Sequence, residues 1–119
     1  MEKIIVETSQ QYEMIDITPE VQKAVASENA EEGICVVYSA HTTAGITINE
    51  NADPMVKHDM LMSLQDIVKD LEWKHAEGNS PAHVMTSLMG KSQTILIQEG
   101  KLLLGQWDGI HFCEFDGPR

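Results

Sequence analysis

The chain has 119 residues and a mass of 13.3 kDa, the usual size of one domain, long enough to bury roughly two thirds of its unfolded surface. Eight Lys and Arg against nineteen Asp and Glu leave a formal charge of −11, which would repel a phosphate backbone and excludes nonspecific nucleic-acid binding. A hydrophobic fraction of 42% with 23% charged residues is the composition of a folding chain rather than a disordered one.

A single domain over residues 1–119 is expected, since no repeat period and no Gly/Ser/Pro-rich linker divides the sequence. Ile4 to Thr8 and Tyr12 to Ile17 are short β-branched or aromatic stretches and predict an opening pair of strands. Thr18-Pro19-Glu20 reads as a helix start with Thr18 as cap, and Gly33 as the stop, giving a helix over about 19–31. Ile34 to Tyr38 is a continuous apolar run, which predicts a central strand covered on both faces. Ile46 to Asn49 alternates. Asp53 then caps, and Pro54 opens, a long helix over about 54–72, with Val56, Met60, Leu64, Ile67 and Leu71 as its inward stripe.

Ser80-Pro81 restarts a shorter helix that ends at Gly90. Thr94 to Gln98, Leu102 to Leu104 and Ile110 to Phe115 give three more strands, antiparallel because their connections are too short for crossovers. The order β-β-α-β-β-α-α-β-β-β describes an α+β domain, a mostly antiparallel β-sandwich with about three helices. No apolar run approaches the 18 or so residues that span a bilayer, and no signal-peptide core follows Met1, so a soluble cytoplasmic protein without membrane partners is expected. Cys35 and Cys113 have no close cysteine neighbours and read as buried thiols.

Three histidines carry the first chemical reading. His41 follows the predicted central strand, where loops commonly place ligands, and a surface histidine is the alternative. His75 and His83 lie eight residues apart, about 12 Å on an unbroken helix and too far for one ion. The Gly78 to Pro81 break changes this: a chain folding back there brings the two imidazoles together, and with His41 they make the three-nitrogen set of a catalytic zinc with an open position. Asp59 lies nearer the apolar stripe than His58 and can reach the interior, although a dipole-stabilised surface carboxylate accounts for it equally well. His111 alternates with Phe112 and reads as a satisfied strand residue.

Asn49, Glu50, Asn51 and Asp53 form an oxygen-rich cluster suited to a hard cation or a polar substrate, with helix capping as the plainer account of Asp53. Gly78-Asn79-Ser80-Pro81 precedes a helix N-terminus able to hold phosphate, unless Ser80 caps it. Trp107, set between Gly105 and Gly109, fits either ligand contact or the core.

Taken together, His41 to Asn51, Asp53-Pro54, His58-Asp59-Met60, His75 to Asn79 with Ala82-His83, Gly105 to Ile110 and Cys113 to Arg119 resemble, in order and from end to end, the YjbQ-type secondary thiamine-phosphate synthase family. The resemblance implies a compact α+β sandwich assembled as a homotrimer. It also implies a histidine-rich metal pocket of His41, His75 and His83, with Asn49, Glu50 and Asp59 nearby. The activity implied is weak thiamine-phosphate synthesis from a pyrimidine-methyl diphosphate and thiazole phosphate.

On that reading Glu50, Asp59 and Asn49 are the catalytic candidates. Asn79, Ser80 and Trp107 contact a small phosphorylated substrate, and a divalent ion, zinc ahead of magnesium, neutralises the leaving diphosphate. A metal-dependent hydrolase of a small phosphorylated substrate and a non-catalytic metal-binding or ligand-binding trimer are the alternatives. The sequence departs from the family pattern at Gln106 and Asp108 beside the Trp. It also stops at Arg119, where the pattern continues into a further strand.

Overall fold

Period-2 alternation in β-branched segments builds two separate ladders. The computed structural model describes residues 1–69 and 71–119. Its elements in chain order are β1 (Glu13–Asp16), α1 (Thr18–Ser27), β2 (Gly33–Tyr38), β3 (Ala44–Glu50), α2 (Pro54–Val68), α3 (Ser80–Met89), β4 (Ser92–Gln98), β5 (Lys101–Leu102) and β6 (Asp108–Glu114). Sheet A has the order β1-β6-β3 and sheet B the order β2-β4-β5, and every pairing is antiparallel. The α+β class, the antiparallel layers and the three helices are those expected from the sequence.

The register of sheet A sorts its side chains. Ala44 pairs with Glu114 and Glu50 with Asp108 along β3 and β6, while Glu13 to Asp16 pair with Glu114 to His111. One face sends Ile15, Ile46, Ile48, Ile110 and Phe112 into a core shared with Ile95, Cys35 and Val37 of sheet B, closed by Ile17 and Val21 at α1. The opposite face sends Met14 and Cys113 toward Val68 of α2 and Ala82 and Met85 of α3. By the same alternation, Asp16, His111 and Thr47 form one cross-strand row on the helix-covered face. Asp53 accepts from the Met55 N–H at 2.9 Å and Pro54 occupies the first turn of α2, as the sequence predicts.

Several boundaries differ from the sequence-based expectation. Ile4 to Thr8 joins neither sheet: Ile4 and Val6 pack on the core, but the backbone runs alongside no strand, and the Thr8 N–H donates to the Arg119 carbonyl at 2.8 Å. β2 is not a doubly covered central strand. It lies at the edge of sheet B with Ile34, Val36 and Tyr38 on an open outer face beside Leu96, each more than half exposed. A continuous apolar run signals two-sided burial, yet within one chain only the inner layer exists.

α1 ends at Ser27, and Thr18 does not cap it. Its hydroxyl donates to Asp16 Oδ1 at 2.6 Å and accepts from the Ile110 N–H at 2.8 Å, locking β1 to β6 instead. α2 ends at Val68. The layer beneath it, Tyr12, Met14 and Met85, meets Leu61, Leu64 and Val68, so Ile67 and Leu71 of the predicted stripe face outward. Cys113 is buried as expected, whereas Cys35 is half-buried.

Candidate functional site

The break between the second and third helices brings two imidazoles together. The Gly78 N–H donates to the His75 carbonyl at 3.3 Å, and Gly78 adopts φ 85°, a region glycine enters without steric cost. α3 then starts, with the Ala82 and His83 N–H groups donating to the Asn79 carbonyl at 3.1 and 3.4 Å. The fold-back leaves the His75 and His83 rings 5.8 Å apart between centroids, edge to face at 77°. Two imidazoles sharing one tetrahedral zinc, at about 2.1 Å per Zn–N bond, place their centroids roughly 5 Å apart, so the pair fits the first two ligands of such an ion.

Asn79 holds the same turn to sheet A. Its Nδ2 donates to Glu77 Oε2 and to Asp116 Oδ2, both at 2.9 Å, while its Oδ1 is buried without a partner. Asn79 occupies the position preceding α3 yet makes no capping bond, and Ser80, expected as the cap, is the first helical residue. Pro81 has no N–H and the Ala82 and His83 N–H groups bond to the Asn79 carbonyl, so of the first turn of α3 only the Ser80 N–H is left for a ligand.

His41 lies on the exposed loop after β2, where its N–H donates to Ser39 Oγ at 3.3 Å. The Thr43 carbonyl accepts from the Phe115 N–H at 3.2 Å, which sets this loop at the same end of sheet A as Asp116. Among the described residues, no three His, Cys, Asp or Glu side chains converge as a ligand set within the chain, so His41 stands outside the pair.

The other predicted residues gather elsewhere. β3 runs from Ala44 to Glu50, and at about 3.3 Å per residue its ends are about 20 Å apart. Asn49 and Glu50 therefore sit at the end of sheet A opposite the histidines. There the Asn51 N–H donates to the Trp107 carbonyl at 2.8 Å, and Asn51 Nδ2 donates to Asp16 Oδ2 at 2.8 Å. Trp107 is exposed at this tip, and Asp108 closes the turn by accepting from the Gly105 N–H at 2.8 Å. Burial opposes charge on Asp16, but the Thr18 hydroxyl and amide and the Asn51 amide hold its carboxyl below the usual value.

Asp59 does not reach the interior. It is exposed on α2 with Oδ1 3.1 Å from His58 Nδ1, at the lip of an open groove of about 380 Å³ that Val56, Leu64 and Met89 also line.

Two ionisable groups outside the predicted site residues are fully buried. Glu114 is gripped by Arg119, whose Nε and Nη2 donate to its two oxygens at 2.8 and 2.7 Å, and the Thr8 hydroxyl donates to Oε1 at 2.9 Å. The signal for it was an acidic residue inside the apolar run Phe112 to Phe115. His111, expected to be a satisfied strand residue, has no hydrogen-bond partner at either ring nitrogen. Burial, and next the positive charge of Lys57, push its pKa down.

Comparison with known proteins places this arrangement. Residues 2–119 match the family described as UPF0047 protein YjbQ-like. A UPF0047 protein of Methanocaldococcus jannaschii is 52% identical over 118 residues, covering 98% of this chain and 86% of that one. UPF0047 protein YugU of Bacillus subtilis is 48% identical, covering 96% and 88%. The crystal structure of an uncharacterised YjbQ/UPF0047 protein from Clostridium acetobutylicum superimposes with a TM-score of 0.93 at 54% identity, over 96% of this chain and 89% of that one. Fold, order of elements and sequence agree over nearly the whole length, and the chain belongs to the YjbQ/UPF0047 family.

Proposed function

We propose that the chain is a metal-dependent small-molecule enzyme with thiamine-phosphate synthase-type activity, joining a pyrimidine-methyl diphosphate to thiazole phosphate with loss of diphosphate. The observation that carries this reading is the edge-to-face pair of His75 and His83. A bound divalent ion, zinc ahead of magnesium for imidazole donors, supplies the positive charge that offsets the departing diphosphate, which a chain of net charge −11 lacks. His75 and His83 hold that ion, and the Ser80 N–H at the start of α3 receives a phosphate oxygen.

Glu50, Asn49 and Trp107 lie too far from the pair in one chain to act on the same substrate. Their part in the reaction therefore requires a neighbouring copy, in keeping with a homotrimer. Two observations favour assembly: the open apolar face of Ile34, Val36, Tyr38 and Leu96, and a radius of gyration of 15.2 Å, against about 13.5 Å for a compact chain of this length. Among the described residues no helix is long and apolar enough to cross a membrane.

The test is metal analysis of protein purified without a histidine tag, beside His75→Ala and His83→Ala. Both variants should stay folded and lose most bound metal, and the wild type should release diphosphate from the two substrates. Unchanged metal in both variants removes the proposal. Faster turnover of another phosphate ester would assign a hydrolase, and bound metal with no turnover a binding protein.

A further inference from the structure

We infer that Asn79 Oδ1 is a ligand-facing oxygen, the third donor beside His75 and His83 for a divalent cation, and that Asp116 and Glu77 position it. This rests on the metal-dependent reading above and deepens it, because it takes the third donor from the same chain and does not need His41.

The orientation of the Asn79 amide is fixed chemically. Both atoms near its Nδ2 are carboxylate oxygens, Glu77 Oε2 and Asp116 Oδ2, which only accept hydrogen bonds. Turning the amide over would set its oxygen against two carboxylates, so the nitrogen belongs where it stands and both of its hydrogens are used. The oxygen is thereby directed away from both carboxylates, where it is buried and receives no donor.

An orphaned buried acceptor is unusual, and the start of α3 offers it no donor. Asn before a helix commonly turns its oxygen onto the second or third N–H of that helix. Here the second helical residue is Pro81, which has no N–H, and the N–H of the third, Ala82, donates to the Asn79 carbonyl at 3.1 Å. Asp116, which lies beyond the end of β6 and 37 residues away in sequence, holds the amide nitrogen. Among the described residues the oxygen is thus left without a donor, open to a ligand from outside the chain.

The residues on either side say what. His75 and Gly78 close the turn before Asn79, and the His83 N–H donates to the Asn79 carbonyl, so the amide lies within the segment that pairs the two rings. Two imidazole nitrogens and one amide oxygen form a neutral three-donor set for a zinc-like ion with one position open. Glu77 and Asp116 orient the amide and add negative charge beside the cation, as partners of metal ligands commonly do.

The experiment is titration of the full, tag-free chain with cobalt(II), followed by its visible absorption, then displacement by zinc, with a thermal melt of each variant. Asn79→Ala should weaken cobalt binding by about tenfold or more, and Asp116→Ala by about tenfold, with an altered cobalt spectrum in both. Asp116→Asn keeps an oxygen that can accept from Asn79 and should restore affinity to within about threefold of wild type. If Asn79→Ala lowers the melting temperature but binds cobalt as wild type does, while His83→Ala does not, Asn79 is a tie between α3 and β6 and this inference alone is overturned. If the folded wild type binds neither metal, the metal-dependent reading is overturned along with it.

Discussion

Glu114 and His111 stand three residues apart on β6, on opposite faces of sheet A, and neither has any exposed surface. Glu114 has partners for both oxygens: a two-pronged contact from Arg119 and a hydroxyl from Thr8. His111 has no well-formed hydrogen bond at either ring nitrogen; the Asn49 and Glu50 backbone groups near it favour its charged form, but burial and the positive charge of Lys57 outweigh them. Asp16, opposite His111 across the ladder, favours the imidazolium, but its oxygens are taken by Thr18 and Asn51. The contrast shows two ways of placing an ionisable group in a core. One surrounds the charge with donors. The other keeps the group neutral and leaves its polar atoms unmatched.

The contrast can be broken most sharply at its charged member. Arg119→Ala leaves a buried carboxylate with no cation beside it, only the Thr8 hydroxyl and a long contact from the Asp116 N–H, and should lower stability by about 3 kcal/mol or more in urea denaturation. A loss under about 1 kcal/mol would mean that water reaches Glu114 and that the pair is not what holds it. Asp16→Ala removes the acceptor shared by Thr18 and Asn51 and a negative group opposite His111, and should cost about 1–3 kcal/mol by the same assay.

His111→Leu tests the neutral member through pH. The unfolded imidazole takes up a proton near pH 6.5, whereas burial holds the folded one to a lower value. Wild-type stability should therefore fall as pH drops below about 6.5, and this slope should flatten in His111→Leu, which at pH 7 should be about as stable or slightly more so. Identical slopes would show that the ring finds a partner on protonation. Asp16 contributes a separate window: its carboxyl sits below the usual 3.8, so its contribution is lost only at more acidic pH than that. The smallest effect is at the thiols. Cys113, buried and pushed up to about 12, should react with a maleimide far more slowly than half-buried Cys35 in the folded chain at pH 8.

What was legible in the sequence was what local chemistry decides. Asp53-Pro54 and Ser80-Pro81 marked where α2 and α3 begin, because capping and the fixed φ of proline act within a few residues. The break at Gly78 to Pro81 was enough to predict that His75 and His83 could meet, and they do. What was not legible depends on partners far along the chain. Nothing beside Thr18 announces that its hydroxyl will serve Asp16 and Ile110 in place of α1. Asp116 meets Asn79 across 37 residues, and no pattern within either segment records it. Glu50 reads as a neighbour of the histidines in a string of residues, and only the length of β3 reveals that it stands at the other end of the sheet.

β6, the middle strand of sheet A, hydrogen-bonds to residues 13–16 on one side and 44–50 on the other. During synthesis those two earlier strands leave the ribosome with no neighbour in sheet A, since the strand that joins them, residues 108–114, is made long after both. Ile15, Ile46 and Ile48 must wait for it before that face is covered, a long interval in which a nascent chain is open to self-association. Emergence of residues 108–114, rather than any earlier local step, should therefore govern when this part of the protein becomes resistant to proteolysis.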